Sequence, residues 1–323
     1  MKKLFLLFVL FGLAPLADAQ TKRIAVAYSA VSATQSSFFV TKEAAIFEKH
    51  GLYVDPVYVA SGTKVAQAVI AGEFPVALAG GTVVNATLAG GDIVIIGGLV
   101  NVPSFYVFVH SSIKRPVDLR NKTVGITTFG SSTDFSIRYL IKKLGMEPDK
   151  DVKILQMGGQ PQIVAGMVAG AVQAGVLSSP ANYNATKAGF QQLVDFKTVG
   201  LDYPTVSLVS MRSHIKKDPQ TVRRFLMAYS EGTERLYNDK ELAMKVIGKY
   251  TKTTDREAQA AAHSFATTFV ERPPRLPYKA VETILAQIGE KDPKAKAHKA
   301  EDFIDPSFYN ELEKSGFFKS LSR

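Results

Sequence analysis

The chain contains neither cysteine nor tryptophan in 323 residues. Without cysteine it forms no disulfide and has no thiol to carry a lipid at a processed N-terminus. Without tryptophan it lacks the strongest ring for stacking on a ligand. The five histidines, His50, His110, His214, His263 and His298, are scattered and never fall at metal-ligand spacing. There is no G-x-S-x-G elbow, no G-x-x-x-x-G-K-[ST], no G-x-G-x-x-G and no H-E-x-x-H, so the common hydrolase, nucleotide and zinc motifs are absent. No enzyme activity and no cofactor or metal is expected. Long apolar runs are missing too. Leu4 to Leu13 and Ile93 to Val100 are both shorter than the ~20 residues a membrane helix needs.

The start of the chain reads as an export signal. Lys2 and Lys3 give the basic end, Leu4 to Leu13 the apolar middle, and Ala17-Asp18-Ala19 a small-x-small cleavage site. Residues 1–19 are expected to be removed after Ala19, leaving a protein free in the periplasm. The formal net charge is +10, and loss of Lys2, Lys3 and Asp18 leaves +9. Basic residues are spread along the chain rather than clustered, and export argues against a nucleic-acid partner. Hydrophobic and charged contents of 46% and 21% are those of an ordinary globular protein.

What is present is a repeat. Ser61 to Gly90 and Gly158 to Gly189 carry the same text: Ala71-Gly72 maps on Ala169-Gly170 and Gly80-Gly81 on Ser178-Ser179, both 98 positions apart. With one inserted residue, Ala86 to Gly90 maps on Ala185 to Gly189. Each copy reads as a small-residue helix ending at Ala-Gly, a short apolar strand (Val76 to Ala79, Ala174 to Leu177), then small residues opening a new helix. The likeness extends upstream, where Ile24 to Ser29 parallels Val124 to Thr128. Two β-α-β-α-β-α units of common design are therefore expected about one hundred residues apart. Small residues at each strand-to-helix corner would leave bare N–H groups for a ligand, and Ala-Gly repeats also serve tight helix packing.

Asn101 to Ser104 breaks the pattern after the first unit, and Tyr203-Pro204 precedes a return strand at Val206 to Met211. From Asp218 the text turns to helices: Gln220 to Tyr237, Asp239 to Tyr250, Thr254 to Phe269, Tyr278 to Ile288 and one more short helix within Glu301 to Phe318.

The sequence resembles the periplasmic solute-binding proteins of ABC importers, in the family that includes binders of taurine, alkanesulfonates, nitrate and thiamine pyrimidine precursors. The matching residues include Lys42-Glu43, Phe47, His50-Gly51-Leu52, Ser61-Gly62, Gln67-Ala68 and Ala71-Gly72-Glu73. In the second half they include Asp118-Leu119, Lys122 to Gly125, Gly130-Ser131, Asp134-Phe135, Arg138, Gly158-Gly159, Ala169-Gly170, Leu177-Ser178, Lys187 to Phe190 and Tyr203-Pro204. A eukaryotic pyrimidine synthase of the same fold carries a cysteine-rich motif that this chain lacks.

The resemblance implies an α/β, type II periplasmic-binding fold: two doubly wound lobes joined by two crossings, with an α-helical C-terminal part. Lobe one would be residues 20–104 and 206–323, lobe two residues 105–205. A small-molecule ligand would sit in the cleft at the strand ends, and the partner would be the membrane permease of an ABC transporter. A monomer is expected. Candidate ligand contacts are Tyr28, Ser29, Ser36, Ser37, Gly62, Gly81 and Thr82 in lobe one, and Thr127, Ser131, Ser132, Gln160, Ser178 and Ser179 in lobe two. Hydroxyls and N–H groups at helix starts suit oxyanions, and each of these residues also suits plain helix capping. Asp134 reads as a cap or helix-dipole partner; facing the cleft instead, it would call for a donor or cationic group on the ligand. Phe38, Phe39, Phe105, Phe129, Tyr183 and Tyr203 are the rings available for stacking. No arginine falls inside a corner motif: Lys64 is near one corner, Arg138 lies about one turn inside a helix, and Arg272 and Arg275 flank Pro273-Pro274 either as cleft cations or as exposed loop charges, so ligand identity stays open among sulfonates, carboxylates, nitrate and pyrimidines. An exported sensor using the same cleft, or a periplasmic enzyme, are the alternative functions.

Overall fold

Short apolar runs that are buried on both faces build two sheets in a computed structural model, which describes residues 21–290 and 292–321. The reading of residues 1–19 as an export signal lies outside the described residues. The first sheet holds β1 (Lys22–Tyr28), β2 (Leu52–Tyr58), β3 (Val76–Ala79), β4 (Ile93–Val100) and, much later in the chain, β10 (Val206–Met211). The second holds β5 (Tyr106–Val109), β6 (Thr123–Ile126), β7 (Lys153–Gln156), β8 (Ala174–Leu177) and β9 (Gln191–Asp195). Their orders are β2-β1-β3-β10-β4 and β7-β6-β8-β5-β9. In each, the first three strands of the unit run parallel and the fourth in the order, β10 or β5, is antiparallel to both neighbours.

The helices follow in order as α1 (Ser36–Glu43), α2 (Ile46–Lys49), α3 (Gly62–Ile70), α4 (Thr82–Leu88), α5 (Ser132–Lys143), α6 (Gln160–Val168) and α7 (Ala181–Lys187). The C-terminal set is α8 (Arg212–Lys217), α9 (Pro219–Asn238), α10 (Lys240–Thr251), α11 (Arg256–Phe269), α12 (Tyr278–Gly289), α13 (Ser307–Lys314) and α14 (Phe317–Leu321). The single tail helix expected from the sequence is two helices. Ser315-Gly316 separates them because Gly316 takes a left-handed φ of 78° that ends α13.

The repeat seen in the sequence is kept in strand register. Val26 pairs with Val76 in the first sheet and Val124 with Ala174 in the second. Both pairs are 50 residues apart, and one lies 98 residues after the other. The Ala-Gly endings have one local cause: Gly72 and Gly170 take φ of 82° and 73°, a left-handed turn that closes the preceding helix.

Alternating strand residues pack on opposite layers. Val94 and Ile96 face a core with Phe38, Phe47, Phe225 and Tyr229, while Ile93 and Ile95 face Val65, Val69, Val83 and Ile284. The first sheet is thus covered by α1, α2 and α9 to α11 on one face and by α3, α4 and α12 on the other. In the second sheet, Val124 and Ile126 meet Ile137, Leu140 and Ile141 of α5, and Phe108 and Leu177 meet Ile163 and Met167 of α6.

The chain leaves the first sheet after β4 and returns to it at β10. The two passages run side by side: Tyr203 N–H donates to the Asn101 carbonyl at 3.1 Å, Thr205 N–H to Val100 at 2.8 Å, and Thr205 Oγ1 to the Val102 carbonyl at 2.7 Å. This bonded pair of passages forms the floor between the sheets.

Candidate functional site

Above that floor the strand ends of the two sheets face each other across a cleft with about 50 Å³ of water-sized free space. One wall is the loop after β1, with Ser29, Ser32, Thr34 and Gln35, together with Ser61 and Gly62 at the start of α3. The other is Thr127 and Ser131 to Thr133 at the start of α5, Gln160 at the start of α6, and Ser178 at the end of β8. Phe105, Thr205 and Val206 of the passages lie beneath.

Local chemistry holds each wall. Ser32 caps a 3-10 turn at Ala33–Gln35, its hydroxyl accepting from Thr34 N–H at 3.4 Å. Gln35 Nε2 donates back to Ser29 Oγ at 2.8 Å, and Ser61 N–H donates to the Ser29 carbonyl at 3.0 Å. On the opposite wall the hydroxyls of Thr127, Ser131 and Thr133 form a closed triangle with all three sides at 2.9 Å. Gln160 grips Ser178: its Oε1 accepts from Ser178 N–H at 2.8 Å, and its Nε2 lies 2.9 Å from Ser178 Oγ.

Several bonds join the walls, three of them at 3.0 Å or less. Ser32 Oγ and Ser178 Oγ are 3.0 Å apart, Thr128 Oγ1 donates to Ser61 Oγ at 2.7 Å, and Ala33 N–H donates to the Ser179 carbonyl at 2.9 Å. Three helices, α3, α5 and α6, begin at the cleft. The first N–H groups of a helix have no intrahelical partner, so their positive ends point inward.

The residues lining the cleft carry no formal charge. Asp134, in the first turn of α5, is buried and satisfied elsewhere: it accepts from Gly130 N–H at 2.8 Å and from Arg138 Nε at 2.7 Å. Burial pushes its carboxyl above the usual carboxylate range, opposed by the Gly130 N–H and Arg138. Arg272 sits over the Tyr237 ring at 3.9 Å and pairs with Glu234 at 3.1 Å. Lys64 is exposed. Walls of hydroxyls, amides and helix starts can orient and desolvate a small solute, and they supply no group that titrates near neutral pH.

Seven of the thirteen residues singled out from the sequence line this cleft: Ser29, Gly62, Thr127, Ser131, Ser132, Gln160 and Ser178. The other six lie elsewhere, for identifiable reasons. Tyr28 packs into an aromatic cluster, edge-on to Phe39 at 5.0 Å. Ser36 and Ser37 turn inward at the start of α1 and are buried in the first core. Gly81 is covered by the return passage, donating its N–H to the Pro204 carbonyl at 2.7 Å beneath the Tyr203 ring. Thr82 sits behind Gly62. Ser179 uses its carbonyl on Ala33 and lines a neighbouring groove with Tyr106 and Phe265. Of the six rings considered for stacking, Phe105 reaches the cleft.

Sequence reasoning passed over Ser32, Thr34, Gln35, Ser61, Thr133 and Thr205. Ser32-Ala33-Thr34-Gln35 fits the S-x-x-Q capping pattern, which was a usable signal for the first three. Ser61 carries no such signal: it takes a left-handed φ of 77° without being glycine.

Two mixed sheets wound with helices on both faces and a polar cleft at their strand ends define the fold of the periplasmic binding proteins. The chain belongs to the family described as NMT1/THI5 like, whose model matches residues 33–243. A curated relative, the nitrate/nitrite binding protein NrtA of Nostoc sp., is 29% identical over 126 residues, 38% of this chain and 28% of that protein. The chain therefore spans little more than a quarter of the curated relative it matches. Among solved structures, a protein from Bordetella bronchiseptica superposes with a TM-score of 0.79 at 18% identity, over 92% of this chain and 98% of that one. The periplasmic nitrate-binding protein NrtA of Synechocystis gives 0.75 at 15% identity, over 91% and 89%. The alkanesulfonate-binding protein SsuA of Xanthomonas axonopodis pv. citri, bound to MOPS, gives 0.73 at 17% identity, over 84% and 93%.

Proposed function

We propose that the protein is a periplasmic receptor that captures a small organic or oxyanionic solute between two lobes and delivers it to the membrane permease of an ABC importer. The lobes are residues 20–104 with 206–323, and residues 105–205. The observation that carries this reading is the pair of hydroxyl-rich walls, one from each sheet, enclosing about 50 Å³ of space where three helices begin. Ser29, Gly62, Thr127, Ser131, Ser132, Gln160 and Ser178 are the solute contacts.

Capture without chemistry agrees with the wall composition. None of the histidines lines the cleft, and two have structural partners outside it: Glu231 for His50 at 2.9 Å and the Leu236 carbonyl for His263 at 3.0 Å. The paired passages near Asn101 to Ser104 and Asp202 to Thr205 form the hinge on which the lobes close. The relatives named for binding nitrate, nitrite and alkanesulfonate support the reading of a receptor for a small polar solute.

A thermal-shift screen of sulfonates, carboxylates, nitrate, pyrimidines and carboxamides tests the reading, because a solute that binds only the folded protein raises Tm with concentration. A hit should be recovered chemically unchanged and should lose affinity when Ser131 and Ser132 are both replaced by alanine. Affinity untouched by that double replacement would remove the cleft from consideration as the solute site.

A further inference from the structure

The hydrogen-bonding capacity of the cleft is unevenly used. Several of its donors are spent on protein acceptors: Ser178 N–H on Gln160, Gln35 Nε2 on Ser29, and the Thr127, Ser131 and Thr133 hydroxyls on one another. An acceptor is left over. Gln35 lines the cleft, is 2% exposed, and its Oε1 is a buried oxygen with no hydrogen-bond partner among the described residues. A buried polar atom without a partner is costly and uncommon, so this oxygen is suited to a donor that arrives with the solute.

Charge points the same way. A desolvated anion needs cations or free donors, and the cleft wall offers no charged side chain. Of the three helices that begin there, α5 already holds the carboxylate of Asp134 in its first turn, and that carboxylate uses the Gly130 N–H beside the helix start. The positive end of α5 is therefore already in use by Asp134, with Arg138 as its counterion.

We infer that the solute is uncharged at its buried end and presents an N–H or O–H donor to Gln35 Oε1, as a carboxamide, a sulfonamide or an amino-substituted heterocycle does. This narrows the proposed function and rests on the same cleft being the solute site. Gln35 is then the residue that separates an amide from the isosteric oxyanion: a site built around a hydrogen bond rejects the analogue that lacks it.

Isosteric pairs test it on the purified protein: acetamide against acetate, benzamide against benzoate, methanesulfonamide against methanesulfonate, with nitrate as a further anion, read by thermal shift and titration calorimetry. At least one neutral member should bind roughly tenfold or more tighter than its anion. Gln35→Glu, which keeps an acceptor, should retain that binding within about threefold, and Gln35→Leu should lose roughly tenfold or more. Because the ligand pairs are compared on the unaltered protein, a variant that fails to fold leaves the test intact. Binding of the anions in preference to every neutral partner would overturn the inference while leaving the cleft as a solute site. Full binding of the amide by Gln35→Leu would also overturn it. No shift with any of these probes would count against the cleft reading and the inference together.

Discussion

The hydroxyls of Ser32 and Ser178 meet at 3.0 Å, one from the loop after β1 in the first sheet and the other from the end of β8 in the second. Ser178 is also the residue held by Gln160 through its N–H and its hydroxyl. One small side chain therefore helps tie the two walls together and holds the corner proposed above for the solute.

Ser178→Ala removes the tie while leaving the N–H bond to Gln160 in place. The expected result is a five- to tenfold loss of affinity for whatever solute the screen identifies, since a net hydrogen bond contributes about 1 kcal/mol. The loss should appear in the release rate measured by stopped flow, because the bond forms only when the walls are together. An unchanged release rate would mean that the tie does not restrain opening.

Gly80 illustrates a corner put to a different use. A Cβ there would lie 2.5 Å from the Thr205 carbonyl oxygen and 2.9 Å from both the Pro204 carbonyl and Ser132 Oγ. Gly80→Ala should lower stability in urea by about 2 kcal/mol, the cost of forcing volume into a packed site, and weaken solute binding by displacing Thr205 from the cleft floor. Gly72→Ala is the control. No described residue lies within 4 Å of its Cβ position, but its φ is 82°, so it should cost about 1 kcal/mol through backbone strain alone and leave binding unchanged.

Those two glycines show how far the sequence could be read. The Ala-Gly endings have a local cause, a left-handed turn after a helix, and the 98-residue repeat survives as identical strand register in both sheets. Gly80-Gly81 and Ser178-Ser179 look equivalent in the text, yet one corner is packed under Pro204-Thr205 and the other opens on the cleft. That difference depends on a passage more than 120 residues away from Gly80, which no local pattern encodes. The wall at Ser32 to Gln35 was written as a capping pattern and was passed over in favour of Ser36 and Ser37, whose apolar neighbours Phe38 and Phe39 draw them inward.

Arg138 is the counterion of Asp134 inside the second unit, opposing the rise that burial imposes on its carboxyl, with Asp149 on its far side at 2.5 Å. Arg138→Met should destabilise the protein by about 2 kcal/mol at neutral pH, less than the ~3–5 kcal/mol seen when a fully buried pair is broken, because Arg138 is partly exposed. Losing the arginine raises the carboxyl further above its ordinary range. A raised carboxyl is disfavoured as a charge and tolerated once protonated, so the deficit against wild type should shrink as pH falls from 7 towards 4. Urea midpoints across that range check the sign; a deficit independent of pH would assign the loss to packing.

Asp218 titrates the other way. It begins α9, accepting from Thr221 N–H at 3.3 Å and Thr221 Oγ1 at 2.6 Å and pairing with Lys22. Its slight burial alone would raise the carboxyl, but the bonds from Lys22 and Thr221 bring it down to about 2 from the usual 3.8. A depressed carboxyl contributes stability that is whole above its unfolded value and is lost as pH falls through the folded one. Asp218→Asn, which keeps the cap, should therefore cost about 0.5 kcal/mol at pH 6 after solvent screening. That cost should fade between pH 4 and pH 2.

Asp255 joins the two units at the surface beside the cleft. It caps α11 through Glu257 and Ala258 N–H groups, and accepts from Tyr183 Oη of α7 at 2.6 Å and Lys187 Nζ at 3.1 Å. The Tyr183 hydrogen bond, then the Ala258 N–H and Lys187, hold its carboxyl far below the ordinary range. Asp255→Asn keeps the cap, since asparagine is an equal N-cap residue, and keeps an acceptor for Tyr183, but it removes the charge that Lys187 meets. If α7 and α11 separate when the cleft opens, this variant should release bound solute roughly two- to fourfold faster in low salt. The difference should disappear as added salt shortens the Debye length to ~3 Å at 1 M. Equal release rates for the two proteins at low salt would show that the Asp255 charge does not restrain opening.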